Sequence, residues 1–156
     1  MSDGRHDFDF IFGEWVVRNR RLTARFAGST DWQEFEGRGI AAPILGGIGH
    51  TDHISFGPDF GNGYGFTLRL FDLATREWSI YWTDSATGRL FPPMIGRFEH
   101  GVGTFVGFEH VGDTTVLCRF TWSDITDTSA RWAQSFSNDG GQTWELNWTM
   151  DFTRVA

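Results

Sequence analysis

Hydrophobic and polar residues alternate with a period of two along most of the chain, and the alternation is clearest in residues 129–154. In this stretch the even positions are mainly apolar and the odd positions mainly polar, which is the pattern of a half-buried β-strand. The sequence Asn-Asp-Gly-Gly interrupts the alternation at residues 138–141. Two alternating runs on either side of such a turn predict a β-hairpin.

The turn also predicts the register of this hairpin, because directly opposite residues of an antiparallel pair lie on the same face. A two-residue loop would bury polar groups. A three-residue loop at residues 139–141, with glycine in the left-handed conformation, keeps the apolar faces together. The expected cross-strand pairs are Phe136 with Trp144, Gln134 with Leu146, and Trp132 with Trp148.

Residues 137–144 resemble the Asp-box motif, Ser-x-Asp-x-Gly-x-Thr-Trp, which recurs in sialidase-type β-propellers and so raises a glycosidase as an alternative. In those proteins the motif stabilises a hairpin away from the catalytic centre. A propeller also needs its unit repeated over several blades, and a single copy occurs here. We therefore interpret the motif as a structural turn.

The same alternation, broken by turns that contain glycine and aspartate, predicts about ten strands between residues 14 and 153. A short apolar segment at residues 8–13 predicts one helical turn before the first strand. Short turns between closely spaced strands indicate an antiparallel meander, and closure into a barrel removes its exposed edges. We predict an all-β fold, with one antiparallel up-and-down β-barrel domain over residues 1–156.

Composition narrows the classes of partner. The chain has 156 residues, a net charge of −7 and 17 % aromatic residues, and its 13 basic residues are all arginine. An acidic chain without a basic run argues against nucleic acid or a membrane surface as a partner. Because no signal peptide or transmembrane run is visible, we expect a cytoplasmic bacterial protein. The single cysteine, Cys118, excludes an intrachain disulfide, and we expect it to be a small buried hydrophobe.

The two ends of the predicted barrel carry a paired signal. Gly13-Glu14-Trp15 opens the first strand, and Arg154 closes the last one. This arrangement resembles the calycin superfamily (lipocalins and fatty-acid-binding proteins), in which an arginine near the chain end packs across the tryptophan of a Gly-x-Trp motif. Stretches such as Ile-Tyr-Trp and Asn-Trp-x-Met-Asp-Phe are also similar to a bacterial lipocalin-like family of unassigned function. The resemblance implies binding of an apolar ligand and supplies no reaction.

Several tryptophans share strand faces with other large side chains, as Trp78 and Trp82 do with Ile80. Such faces either fill a solid core or form the aromatic wall of a ligand pocket, and a barrel of this size favours the pocket. Polar residues with a chance of facing inward add the orienting groups, although an outward, ion-paired arginine is an equal alternative for each arginine. The candidate ligand-binding residues are Asp52, Arg69, Trp78, Trp82, Arg97, Trp122, Trp132, Gln134 and Trp148.

We predict no cofactor and no metal site. In Gly-His-Thr-Asp-His, His50 and Asp52 share one strand face and His53 lies on the other, so one metal cannot collect all three without a bulge. We expect surface histidines. No nucleophile elbow is present either.

Three functions follow as hypotheses. The first is binding of a small hydrophobic or amphipathic molecule, such as a medium-chain or aromatic carboxylic acid with its head group near Arg97 or Gln134. The alternative is a small barrel enzyme of the cyclase or isomerase type that acts on a hydrophobic intermediate and uses Asp52, Arg97 or Gln134. The third is a structural or dimerising domain with a filled barrel, and the sequence leaves a homodimer open.

Overall fold

The computed structural model describes residues 3–155 and is a closed antiparallel barrel of ten strands. Each strand pairs with its neighbours along the chain, and the last strand pairs with the first. The strands are β1 (Gly13–Leu22), β2 (Trp32–Ile44), β3 (Gly49–Phe56), β4 (Tyr64–Phe71), β5 (Trp78–Asp84), β6 (Met94–Glu99), β7 (Val102–Val111), β8 (Thr114–Ser123), β9 (Ser129–Ser137) and β10 (Glu145–Arg154). The predicted all-β up-and-down barrel is therefore confirmed.

The helical content within residues 3–155 is limited to three 3₁₀ turns, Asp9–Ile11, Leu45–Gly47 and Pro58–Phe60. The first of them lies where the sequence predicts a helical turn. No helix in this described part of the chain has the length and apolar character needed to cross a membrane.

Strand β1 illustrates how the alternation produces the inside and outside of the barrel. Trp15, Val17 and Asn19 are buried, whereas Arg18 and Arg20 between and after them are exposed. Side chains of a strand point alternately to its two faces, so the odd residues of β1 face the interior. The cross-strand register carries the same inner face around the barrel.

One end of the barrel is sealed by the segment that precedes β1. Phe8 is fully buried, and its ring lies edge-on to the rings of Trp78, at 5.1 Å, and Phe98, at 4.9 Å. The guanidinium of Arg154 lies 4.2 Å from the centre of the Trp15 ring, as the paired signal in the sequence predicts.

Arg154 also ties three segments of chain together at this end. It donates hydrogen bonds to the carbonyl oxygens of Phe10, at 2.7 Å, of Asp127, at 2.9 Å, and of Phe12. The indole nitrogen of Trp15 donates to the carbonyl of Ile11 at 2.8 Å. The segment before β1 is thus fixed to both terminal strands, and we refer to this region as the closed end.

The predicted register of the β9–β10 hairpin is wrong. Phe136 lies opposite Glu145, Ser135 lies opposite Leu146, and Gln134 lies opposite Trp148. A bulge between Leu146 and Trp148 then shifts the register by one residue and turns the even positions of β10 inward. Leu146, on the near side of the bulge, points outward and is 42 % exposed.

A longer turn than the predicted three-residue loop explains this register. The carboxylate of Asp139 accepts hydrogen bonds from the Thr143 amide at 2.9 Å, the Thr143 hydroxyl at 2.5 Å and the Ser137 hydroxyl at 2.7 Å. The Gly141 amide donates to the Ser137 hydroxyl at 2.9 Å. The bonds from Thr143 and Ser137 lower the pKa of Asp139 to about 2. They hold the residues between Ser137 and Glu145 as one hydrogen-bonded turn.

Candidate functional site

A cavity of about 260 Å³ lies inside the barrel, on the inner side of the closed end. Ile11 and Trp15 form part of its floor, and Arg21, farther along β1, lines it near the opposite end. Its wall is mainly aromatic and includes Trp82, Phe120, Trp122, Trp132, Phe136 and Trp148. The volume is close to the lower limit of the ~300–1,000 Å³ that ligand pockets usually enclose.

The structure places the predicted tryptophans in two locations. Trp82, Trp122, Trp132 and Trp148 line the cavity. Trp78 does not: it is 1 % exposed and belongs to the packing of the closed end. Its indole nitrogen donates to the carbonyl of Gly4 at 3.1 Å.

Arg69 and Asp52 form the polar part of the cavity lining near the closed end. They lie on neighbouring strands, β4 and β3, and both face inward. Nη2 of Arg69 is 2.5 Å from Oδ2 of Asp52, and the Arg69 side chain is 4 % exposed. Its guanidinium lies over the rings of Phe8, at 5.0 Å, and Trp122, at 5.8 Å.

The other two nitrogens of Arg69 are the strongest indication of a ligand in this cavity. Nε and Nη1 are buried and have no hydrogen-bond partner within residues 3–155. A buried donor without a partner costs about 1–3 kcal/mol, and more when the group is charged. An arginine fork matches the two oxygens of a carboxylate or the oxygens of a phosphate, so an anion is the ligand that suits these nitrogens.

Arg97 lies outside the cavity. It is on the outer face of β6, its side chain is 52 % exposed, and Nη2 is 3.4 Å from Oε2 of Glu77. An arginine between the buried Met94 and the inward Phe98 has to point outward, because strand side chains alternate. We therefore remove Arg97 from the candidate ligand-binding residues.

Gln134 lines the cavity, but a neighbour satisfies part of its amide. Nε2 donates to Oδ1 of Asn147 at 2.8 Å, and Asn147 is the fully buried residue within the β10 bulge. Close by, the indole of Trp148 donates to Oδ1 of Asn19 at 2.9 Å. Gln134 is thus part of a polar cluster on the wall, with less need of a ligand than Arg69.

Two further titratable residues, His50 and Cys118, are buried in the barrel. His50 is 0 % exposed, so the expectation of a surface histidine is wrong for this residue. Burial, and then the charge of Arg69, lowers the pKa of His50 to about 4, so its ring is neutral at pH 7. Cys118 is 2 % exposed, as predicted, and burial raises the pKa of its thiol. A thiol of this kind is a poor nucleophile.

Sequence reasoning missed two arginines that line the cavity, Arg21 and Arg25. A signal for Arg21 was present, because it continues the odd positions of β1 after Trp15, Val17 and Asn19. Arg25 follows the end of β1, where the alternation of a strand no longer predicts which side chains face inward. The lining also includes Asp84, Glu109 and His110.

Within residues 3–155 no three His, Cys, Asp or Glu side chains lie close enough together to hold a metal ion.

No protein-family model matches the sequence, and no curated protein matches it. The closed ten-strand barrel is compatible with a lipocalin-like fold.

Proposed function

We propose that the protein binds a small amphipathic molecule whose acidic head group lies on Arg69 and whose apolar part lies against the tryptophans of the cavity. The observation that carries this proposal is the buried guanidinium of Arg69, a cavity-lining residue whose Nε and Nη1 have no hydrogen-bond partner within residues 3–155. A carboxylate can accept two parallel hydrogen bonds from Nη2 and one of these two nitrogens.

The unused hydrogen-bonding capacity of Arg69, and not the net charge of the site, supports an acidic group beside Asp52. Asp52 occupies one nitrogen of Arg69, and a buried charge is stable only where it is paired and hydrogen-bonded on its remaining sides. A ligand carboxylate that accepts from Nη2 and one unpartnered nitrogen would add to the single bond that Asp52 supplies.

The cavity also limits the size of the ligand. A volume of about 260 Å³ suits a medium-chain or aromatic acid and is small for a long-chain lipid. Indole rings such as Trp82, Trp132 and Trp148 offer large apolar surface at little conformational cost. The head group proposed from sequence for Arg97 moves to Arg69, since Arg97 lies on the outer surface.

The test is a titration followed by tryptophan fluorescence and by calorimetry. Octanoic, decanoic and cinnamic acids are added to the wild type and to the Arg69→Gln variant. We expect saturable binding to the wild type and a loss of about tenfold or more in Arg69→Gln, the size of a lost charged hydrogen bond. Trp82→Ala should reduce the fluorescence change and the affinity, because Trp82 lines the cavity.

Arg97→Gln is the matched control, because it removes an arginine with the same chemistry from the outer surface. It should bind the acids as the wild type does. Equal affinity of wild type and Arg69→Gln for every acid would place the head group elsewhere and reject the proposal.

A second function, catalysis, has one observation in its favour. The carboxylate of Asp52 lies in the same cavity as the proposed ligand, beside Arg69, and can accept a proton from a bound molecule. Mass spectrometry of acids recovered after incubation tests this reading. A recovered acid whose mass or isomeric form has changed after incubation with the wild type, and has not changed after incubation with Asp52→Asn, would support an enzyme. The open cavity argues against the third hypothesis, a filled barrel.

A further inference from the structure

The end of the cavity opposite the closed end carries two more arginines, Arg21 and Arg25. The guanidinium of Arg21 lies over the rings of Trp148, at 5.1 Å, and Phe60, at 5.6 Å. The guanidinium of Arg25 lies over the ring of Phe136, at 5.2 Å. Both side chains are half-buried and line the cavity. Aromatic faces therefore hold both cations at this end, which we call the mouth.

Within residues 3–155 neither guanidinium has an ion-pair or hydrogen-bond partner, and the Nε atom of each is buried. The outward arginines of the same strand differ in this respect. Arg18 and Arg20 lie beside Glu36 and Glu34, at 4.0 Å and 3.3 Å.

Several charged groups near the mouth act on Arg25. Burial, and then the charge of Arg21, lowers the pKa of Arg25 to about 10, while Glu109 and Glu145 act in the opposite direction. Glu145 is already engaged, because its Oε1 accepts a hydrogen bond from the Phe26 amide at 2.8 Å. Glu109 also lines the cavity and offsets part of the repulsion between Arg21 and Arg25, although it forms no ion pair with either within residues 3–155. An anion between the two arginines would offset the rest.

Floor and mouth lie far enough apart to bind two ends of one molecule. Trp15 and Arg21 are six residues apart on β1, which is ~20 Å along a strand at ~3.3 Å per residue. Barrel strands tilt by about 35–45°, so the depth between these levels is about 15 Å. A ligand that fills the cavity therefore extends from the Arg69 end to the mouth.

We propose that Arg21 and Arg25 form a second anion subsite at the mouth, and that the preferred ligand carries an acidic group at each end of an apolar chain. A linear dicarboxylic acid is the simplest member of this class. The inference rests on the proposed function for the deep end, where Arg69 binds the first acidic group. The aromatic wall between the two subsites contacts the chain.

The experiment compares dicarboxylic acids with monocarboxylic acids of equal chain length, by calorimetry at pH 7. The pairs are suberic with octanoic acid, sebacic with decanoic acid, and dodecanedioic with dodecanoic acid. At this pH both carboxyl groups of a diacid are ionised. We expect the best diacid to bind the wild type about tenfold more tightly than its matched monoacid.

Substitutions at the mouth locate the second acidic group. Arg21→Gln and Arg25→Gln, made singly, should remove most of the diacid preference, measured as the ratio of diacid to monoacid affinity in the same variant. Arg20→Gln is the matched control on the same strand, because Arg20 points outward beside Glu34, and it should keep the preference. Each variant carries its own reference, since its monoacid affinity reports whether the cavity is intact.

The outcomes separate this inference from the proposed function. Monoacids that bind through Arg69, with diacids no tighter in the wild type, would overturn the mouth subsite and leave the proposed function standing. Monoacid binding that is lost in Arg21→Gln or Arg25→Gln and kept in Arg69→Gln would put the single head group at the mouth and overturn both. An absence of saturable binding by any acid would also overturn both.

Discussion

Replacing Arg154 by alanine perturbs the closure of the barrel at a single side chain. The change removes the contact with the Trp15 ring and the hydrogen bonds to the carbonyls of Phe10, Phe12 and Asp127. A partly desolvated cation over an indole contributes about 1–2 kcal/mol. A hydrogen bond to a charged donor contributes about 1.5–3 kcal/mol, and less where water replaces it, as it can around this half-buried side chain.

We expect Arg154→Ala to lower the free energy of unfolding by about 2–4 kcal/mol, because these contributions overlap and do not add. From sequence alone the expected cost is clearly smaller than that of Trp15→Ala, which at 1 % exposure should cost about 3–5 kcal/mol. The three hydrogen bonds from Arg154 to main-chain carbonyls raise the expected cost of Arg154→Ala toward that of Trp15→Ala. Urea denaturation followed by tryptophan fluorescence measures both values, and an unchanged m-value confirms that the unfolding reaction is the same.

The double variant isolates the contact between the two side chains. Arg154 donates its hydrogen bonds to main-chain carbonyls, so these bonds remain in Trp15→Ala. Of the interactions made by Arg154, this variant removes the stacking contact only. The double-mutant cycle should therefore report a coupling energy of about 1 kcal/mol. Arg131→Ala, on β9, is the control, because its ion pair with Asp151 is exposed and spans 3.9 Å; it should cost at most about 1 kcal/mol. Additivity within about 0.3–0.5 kcal/mol would refute the closure by cation–π contact.

Three further predictions concern the interior. The pKa of His50 is about 4 in the folded protein and 6.5 ordinarily, so the unfolded chain gains a proton first as the pH falls. The free energy of unfolding should therefore decrease from pH 6.5 to pH 4, and decrease less steeply in His50→Gln. Equal slopes of the urea midpoint against pH in the two proteins would contradict this. Gly96→Ala places a Cβ 1.9 Å from the Thr104 carbonyl and should cost about 1–3 kcal/mol in the same assay, whereas Gly39→Ala, with its nearest atom 3.7 Å away, should cost far less. Iodoacetamide should modify Cys118 rapidly only in denaturant, as mass spectrometry can follow; fast labelling of the folded protein would count against a buried thiol.

The fold was predictable because alternation and chain-end signals agree. The inward series of β1 and the pairing of Trp15 with Arg154 follow from a period of two and from one sequence resemblance. The barrel needs little else, since short turns force neighbouring strands to pair. The register of the β9–β10 hairpin was not predictable by the same means. It depends on the hydrogen bonds of Asp139 and on a bulge at Asn147, and neither changes the period of the apolar positions.

The candidate site was predictable in composition and only partly in position. Four of the predicted tryptophans line the cavity, because they share strand faces with other large side chains. Trp78 has the same pattern but lies under Phe8, and sequence does not show how far the segment before β1 enters the barrel. The two predicted arginines of β4 and β6 were indistinguishable from sequence and lie on opposite sides of the barrel wall.

Strand β4 explains why Arg69 faces inward. Its more hydrophobic set, Phe66, Leu68 and Leu70, lies on the outer face and is only half-buried, whereas Thr67 and Arg69 lie on the inner face and are buried. Strand β6 follows the ordinary rule, with Met94 inside and Arg97 outside.

Strand β4 is inverted in this sense, with its more hydrophobic set outside. An inverted strand loses apolar burial and places a charge in the interior, so it is stable only where other groups satisfy that charge. Asp52 satisfies one nitrogen of Arg69, and two others have no partner in the described part of the chain, residues 3–155. Local departures from the hydrophobic pattern are expected at functional sites. The inversion of β4 is therefore the feature of this barrel that most directly favours a ligand with an acidic head group.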